Sequence, residues 1–414
     1  MITIVSITPL PLNRDSRALK IASSFARNGY RSIVLQGKEG GLIDKSKITE
    51  LRTISVEGFF SSDKELSKNI DKKIKFIIGV KRVIKSLIPI KIKNIIFLYF
   101  HKQEIQNRYY SKCVIQQIPS ADIYYVHSWE YGRACCEVAS SNGALVVYDA
   151  HDLYSDIARE NANFNPLNLS YAKITERLEQ DFLERADAVV TVCEGIADIL
   201  MSRGASKTIV VRNSHDFRLD SSDDVSLSEF CNTSFEQGLT GIVIGNNKAA
   251  YPIEDMFSVV SIFKGRVRLI FLGQGFEEMA QKAKSHSVLF PGACDPSLVV
   301  PLARHADFSI VPYVPRTRND SLSLPNKFFQ SLAAGLPVIF QSLPEMKRIS
   351  EEYNAGVALK KMCAAELEPV IRRLLSDVKY RSELSRRSQR ASEKLNWEQE
   401  ESKLLDLVVN LLRK

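Results

Sequence analysis

Residues 323–346 read SLPNKFFQSLAAGLPVIFQSLPEM, the pattern of a short helix feeding a buried strand. Pro325 suits a first helical turn, and Ser323 stands where an N-cap belongs. The first amides of a helix have no internal partner and attract anions, phosphates above all. Lys327 adds a full positive charge beside them. Asn326 and Gln330 are four apart and share one face. Such an amide pair could grip hydroxyls without adding negative charge. Ala333, Ala334 and Gly335 are small enough to let neighbouring backbone approach. The same residues also read as a capped helix with a solvated Lys and Gln. Their place between FSIVPYVP and the buried PVIF strand favours a charged, hydroxyl-rich ligand.

Other candidates stand just after strands. His151 follows ALVVY, where it could orient a ligand hydroxyl or be satisfied by backbone. Asp152, next to it, could face the same ligand or cap the following segment. His127 also follows a strand, with Trp129 beside it pointing equally to packing. Asp15 reads as a helix cap, and Arg17 as a contact for a phosphate or a second substrate, or as a solvated arginine. Lys248, in IGNNKAAYP, is a second candidate phosphate contact. Seven scattered Cys form no CxxC pair, which suits free thiols in a reducing compartment.

These positions need a scaffold. With 414 residues, the chain is too long for one ordinary core. Strand-length apolar runs alternate with helical patterns: 2–8, 32–35, 123–126, 144–148, 188–192 and 208–211, then again 241–245, 268–273, 287–290, 308–312 and 337–340. Continuous apolar runs suit parallel strands covered on both faces. Two successive series predict an α/β protein of two doubly wound domains, 1–213 and 214–395, whose strand ends would face one cleft. The segment 214–230 reads as a linker region. A final helix, 396–414, has an apolar stripe that packs on its own domain or across the boundary.

PNKFFQSLAAGLPVI resembles the nucleotide-sugar-binding signature of glycosyltransferase family 4, retaining enzymes of GT-B fold with two facing Rossmann-like domains. RDSRALKIASSFARNGY (14–30), VHSWEYG (126–132), VVYDAHDLYSD (146–156), RADAVVTVCEGIADIL (185–200) and VVRNSHD (210–216) resemble its other blocks in order. The resemblance spans most of the chain except about 40–115. It implies transfer of a sugar from a UDP- or GDP-linked donor to a glycan or lipid-linked acceptor. It implies donor contacts from Lys248, Ser323, Asn326, Lys327 and Gln330, and a donor-sugar contact from His151. His151 and Lys327 are thus the catalytic candidates, and Arg17, Asp152 and His127 lie on the acceptor side. The family's Glu-x7-Glu pair is degenerate, with Leu322 and Gln330 in its places. The glycine-rich loop usual after the first strand is replaced by TPLPLNRDSR. Neutralising an expelled diphosphate would be the main task. The family does this with Lys, Arg and helix amides, so no metal and no cofactor are expected. A sugar-nucleotide epimerase and a binding protein without turnover are the competing readings.

The charge is uneven. The net value is +8, yet 64–112 holds thirteen Lys/Arg against three acids. Within it, KKIKFIIGVKRVIKSLI (72–88) has apolar residues on one helical face and Lys and Arg flanking them. That suits an interfacial helix on an anionic membrane, or an insertion whose apolar face is core. Aromatic residues are not interleaved with these charges, which argues against nucleic acid. MITIVSITPL lacks a basic lead and reads as a first strand, and no apolar run approaches a membrane span. A cytoplasmic protein, peripheral at the inner membrane face, is the expectation.

Overall fold

In a computed structural model, the described residues are 1–38, 48–54, 90–163, 165–223, 225–235, 238–248, 251–276, 278–279 and 287–413. The basic run 72–88 lies outside them. The chain divides into two compact units: Met1–Val210 with Leu405–Lys414, and Val211–Leu404.

The first unit is built on strands β1 (Thr3–Thr8), β2 (Arg31–Gln36), β3 (Glu50–Thr53), β4 (Ile123–His127), β5 (Leu145–Asp149), β6 (Ala188–Thr191) and β7 (Thr208–Val210). They lie in the order β3-β2-β1-β4-β5-β6-β7, and every pairing is parallel. This is the doubly wound, Rossmann-like order, with the switch between β1 and β4. Helices α1 (Ser16–Arg27), α2 (Ile90–Tyr109), α3 (Gly132–Asn142), α4 (Tyr154–Glu160), α5 (Pro166–Arg185) and α6 (Glu194–Ser202) accompany the sheet. Asp15 caps α1 by accepting from the Ala18 amide, as the sequence predicts. Gly29, at φ +80°, follows its C-terminal end. α2 packs along α5.

The second unit repeats the plan with β8 (Leu239–Ile244), β9 (Val267–Leu272), β10 (Val288–Gly292), β11 (Phe308–Val311), β12 (Val338–Gln341) and β13 (Val357–Leu359). Their order is β10-β9-β8-β11-β12-β13, again all parallel. Helices α7 (Ile253–Ile262), α8 (Asn326–Ala333), α9 (Pro344–Tyr353), α10 (Ala364–Ser376) and α11 (Val378–Lys394) belong to it. The last helix, α12 (Trp397–Leu412), is divided at Leu404/Leu405 between the two units.

The apolar runs are continuous because both sheet faces are covered. Val243, Leu269 and Phe271 enter one core with Met256, Val260 and Ile371. Ile242, Ile244, Ile270 and Leu272 enter another with Val300, Leu302 and Ala333. Alternate residues of one strand therefore feed opposite cores. Two strands escape the sequence reading, β3 and β13. Both are short edge strands: β3 (ELRT) is only partly buried and carries no apolar run, and the apolar run of β13 is only three residues long.

Candidate functional site

In the second unit, the candidate residues gather at the C-terminal ends of the strands. Lys327 lies in the first turn of α8, and Lys248 in the loop after β8. The Lys327 ammonium donates to the Tyr251 hydroxyl and lies 4.7 Å from the Tyr251 ring centroid. The Lys248 ammonium donates to the Tyr313 hydroxyl at 3.1 Å and lies 4.8 Å from that ring centre. The two tyrosine rings are 6.4 Å apart. Burial, and then the charge of Lys248, lowers the Lys327 pKa from 10.5 to about 7. Neither ammonium has a carboxylate partner among the described residues. Two cations held together by phenols without a counter-charge form a site prepared for an anion.

The loops around the lysines are fixed by glycines and amides. Gly245 turns at φ +96°, and a side chain there would begin 3.3 Å from the Lys327 Nζ. Gly273 is tighter, since a Cβ would come within 2.4 Å of the Gly245 carbonyl oxygen. Asn246 and Asn247 tie this loop to the next. The Asn246 Oδ1 accepts from the Gln274 amide at 3.0 Å, and the Asn247 Nδ2 donates to the Gly275 carbonyl at 2.8 Å. The sequence reading had not singled out Gly245, Gly273 or Tyr251. A glycine directly after each of two neighbouring strands was the available signal.

The start of α8 departs from expectation. Its N-cap is Pro325, extended at φ −77° and ψ 150°, with no side-chain cap. Pro325 therefore precedes the first turn. Ser323 is not the cap, because its hydroxyl donates to the Asn319 carbonyl at 3.3 Å and closes the preceding turn. The first amides of α8 are thus left uncapped by any side chain. Asn326 and Gln330 are half-buried, and their side-chain amides take no hydrogen bond among the described residues. Ser331, facing inward, bonds to Ser309 of β11 at 2.7 Å and anchors α8 on the sheet.

In the first unit, Arg17 and His127 meet on Asp149. The Arg17 Nε lies 2.9 and 3.1 Å from the two carboxylate oxygens, and its Nη2 lies 2.9 Å from Oδ1. The His127 Nδ1 lies 2.9 Å from Oδ2. All three side chains are buried. Burial opposes the charge on Asp149, but Arg17 and His127 overcome it and hold the carboxyl far below its ordinary pKa. Arg17 and His127 therefore stand in a buried ion cluster and do not line a surface open to a phosphate or acceptor. Asp149 was not among the sequence candidates, since only the fold brings β4, β5 and α1 together on it.

His151 is half-buried, and its Nε2 lies 2.9 Å from the Tyr154 hydroxyl. It is close enough to Glu130 to draw that carboxyl's pKa down, against a larger upward push from burial. Glu130 accepts from the Ser128 hydroxyl, and Ser128 is left-handed at φ +74°. Asp152 does not cap α4, whose N-cap is Leu153; the Ser155 amide donates instead to Glu179 of α5 at 3.0 Å. Among the described residues, no group of three or more His, Cys, Asp or Glu is arranged to hold a metal ion.

Two Rossmann-like domains with these sheet orders define the GT-B fold. The whole chain aligns with sucrose-phosphate synthase from Thermosynechococcus elongatus at 14% identity and a TM-score of 0.68, covering 100% of both chains. Anabaena Alr3699/HepE in complex with UDP-glucose aligns at 13% identity and TM-score 0.66, over 99% of this chain and 100% of that one. WaaG, a glycosyltransferase involved in lipopolysaccharide biosynthesis, aligns at 14% and 0.64, over 98% and 99%. Residues 241–377, which hold Lys248 and Lys327, match the family model of glycosyl transferases group 1. A Bacillus subtilis (strain 168) protein named "Putative teichuronic acid biosynthesis glycosyltransferase TuaH" is 25% identical over 217 residues, half of this chain and 53% of that relative.

Proposed function

We propose that the protein is a glycosyltransferase that moves a sugar from a nucleotide-sugar donor, UDP- or GDP-linked, to a glycan or lipid-linked acceptor in polysaccharide biosynthesis. The carrying observation is the Lys248–Lys327 pair at the uncapped end of α8, within the segment that matches the family model. The donor diphosphate binds there. Lys327, Lys248 and the first α8 amides neutralise the negative charge that develops as the sugar–phosphate bond breaks. Asn326 and Gln330, with open side-chain amides, take ribose hydroxyls. Gln330 does so as a neutral group in place of the family's carboxylate. The transfer is metal-independent and retains the anomeric configuration, as the family resemblance implies. The relatives bound to UDP and UDP-glucose support a nucleotide-sugar donor.

The protein also contacts an anionic membrane surface and works at the cytoplasmic face. The observation that favours this is on α2, where Ile92, Ile95, Leu98 and Tyr99 are exposed close to Lys102. Among the described residues, no helix is long and apolar enough to cross a membrane.

The test is nucleotide release from a panel of UDP- and GDP-sugars, with chelator present and with and without lipid-linked and free glycan acceptors. Release from one donor that an acceptor accelerates supports transfer. Donor binding without turnover across the panel supports a binding protein instead, and interconversion of the free sugar nucleotide supports an epimerase.

A further inference from the structure

Two phenols hold the paired lysines, and each is left with a proton to give. Tyr251 and Lys248 flank one turn, closed by the Tyr251 amide donating to the Lys248 carbonyl at 2.9 Å. Their side chains go to different partners. Tyr251 accepts from Lys327 of α8, and Lys248 donates to Tyr313, just beyond β11. A phenol oxygen can accept and donate at once. Each of these accepts from an ammonium, and neither gives its own proton to an acceptor among the described residues. Tyr251 is only 8% exposed, so a donor left unused there is costly. Burial, and then Tyr313, raises the Tyr251 pKa, which keeps that proton on the oxygen through the neutral range.

The chemistry of the two partners points the same way. A carboxylate beside either lysine would cancel its charge and repel an anion. A phenol is neutral, and it leaves two of the three ammonium protons free. It also becomes a stronger donor when its oxygen accepts from a cation. The ring centroids are 6.4 Å apart, so two such donors stand on neighbouring rings.

We propose that Tyr251 and Tyr313 bind the donor diphosphate directly, each accepting from its lysine and donating its own proton to a phosphate oxygen. This rests on the donor reading above and goes past it. The anion is held by four side chains, and the phenols are ligand contacts as well as props for the lysines.

The experiment titrates the full chain with UDP, GDP and inorganic pyrophosphate by calorimetry, in wild type, Tyr251→Phe and Tyr313→Phe. Phe keeps the ring and its contact with the ammonium, and the melting curve checks the fold. Each variant should bind pyrophosphate, and whichever nucleotide the wild type takes, about fivefold or more weakly. A pH series separates direct contact from an effect through the lysine. The titratable groups facing Lys327 among the described residues are Tyr251 and Lys248, and Lys248 faces Tyr313. Losing a phenol acceptor favours the neutral lysine and lowers the Lys327 pKa below about 7. If Tyr251 only held the lysine, Tyr251→Phe would lose affinity at about pH 8.5 and recover most of it at about pH 5.5. With direct contact the loss persists at both. For Tyr313 the same question is put in a Lys248→Ala background, where Tyr313→Phe should still weaken binding about twofold or more. A loss under fivefold in either single variant, recovery of Tyr251→Phe at low pH, or no further loss in the Lys248→Ala background would overturn the proposal and leave the donor site standing. A wild-type chain that binds neither UDP, GDP nor pyrophosphate would overturn the donor reading as well.

Discussion

Lys327 is the residue on which the donor chemistry turns, and its surroundings make its contribution measurable. A charged hydrogen bond to a diphosphate is worth about 1.5–3 kcal/mol, and a neutral one to a ribose hydroxyl about 0.5–1.5 kcal/mol. Lys327→Ala should therefore cut turnover about ten- to a hundredfold, and Gln330→Ala only several-fold. Steady-state kinetics of nucleotide release reads both, and an unchanged Lys327→Ala enzyme would remove that residue from the site. The pH dependence follows from the lowered pKa. Folded Lys327 loses its proton near about 7, whereas the unfolded chain keeps it to about 10.5. Between those values the folded state binds fewer protons, so stability rises with pH across that window. Lys327→Met should raise the melting temperature most below about pH 7, with the gain gone by about pH 10. UDP affinity should fall as pH rises above about 7, with proton uptake visible on calorimetry in buffers of differing ionisation enthalpy.

At the scale of elements, the strand ends are held by one buried carboxylate in the first unit and by two hydrogen-bonded glycine loops in the second. Asp149 joins β5 to α1 and β4 through Arg17 and His127. Asp149→Asn leaves a buried guanidinium with a neutral partner and should cost about 3–5 kcal/mol in denaturant unfolding. Because the folded carboxyl titrates below the unfolded one, its stabilisation is complete above about pH 4 and fades as pH falls below that. Gly273→Ala must push the backbone of the Gly245 loop, so it should lower stability by about 1–3 kcal/mol and weaken UDP binding together. The central strands and α1 are readable from periodicity because their apolar runs are buried on both faces. β3 is not, since this edge strand carries no apolar run, and β13 is not, since three residues are too few to show a period. The start of α8 was misread by two residues. Pro and Ser both favour helix entry, and only the turn closed by the Ser323 hydroxyl on Asn319 shows which residue the helix uses.

For the whole molecule, the net charge of +8 is concentrated in one stretch of sequence. If α2 meets a membrane, binding should require anionic vesicles and weaken at high salt. Ile95→Asp with Tyr99→Ser should abolish co-flotation while the circular dichroism spectrum stays unchanged, since both residues are exposed. Removing 72–100 outright is a poorer test, because it would take the first half of α2, which packs on α5.

The sequence by itself determined the doubly wound class, the restart of the strand series, and the placing of Lys327, Asn326 and Gln330 on one helix. Those features are local, and strand burial and helical spacing write themselves as periodicity along the chain. Tertiary structure alone decided the partners. It paired Lys327 with Tyr251 and Lys248 with Tyr313, and turned Arg17 and His127 inward onto Asp149. Such contacts join residues distant in sequence, and their charges and hydroxyls leave no periodic trace. Whether a polar residue is bound inside the protein or left open to a ligand is settled only when the sheet brings its neighbours together.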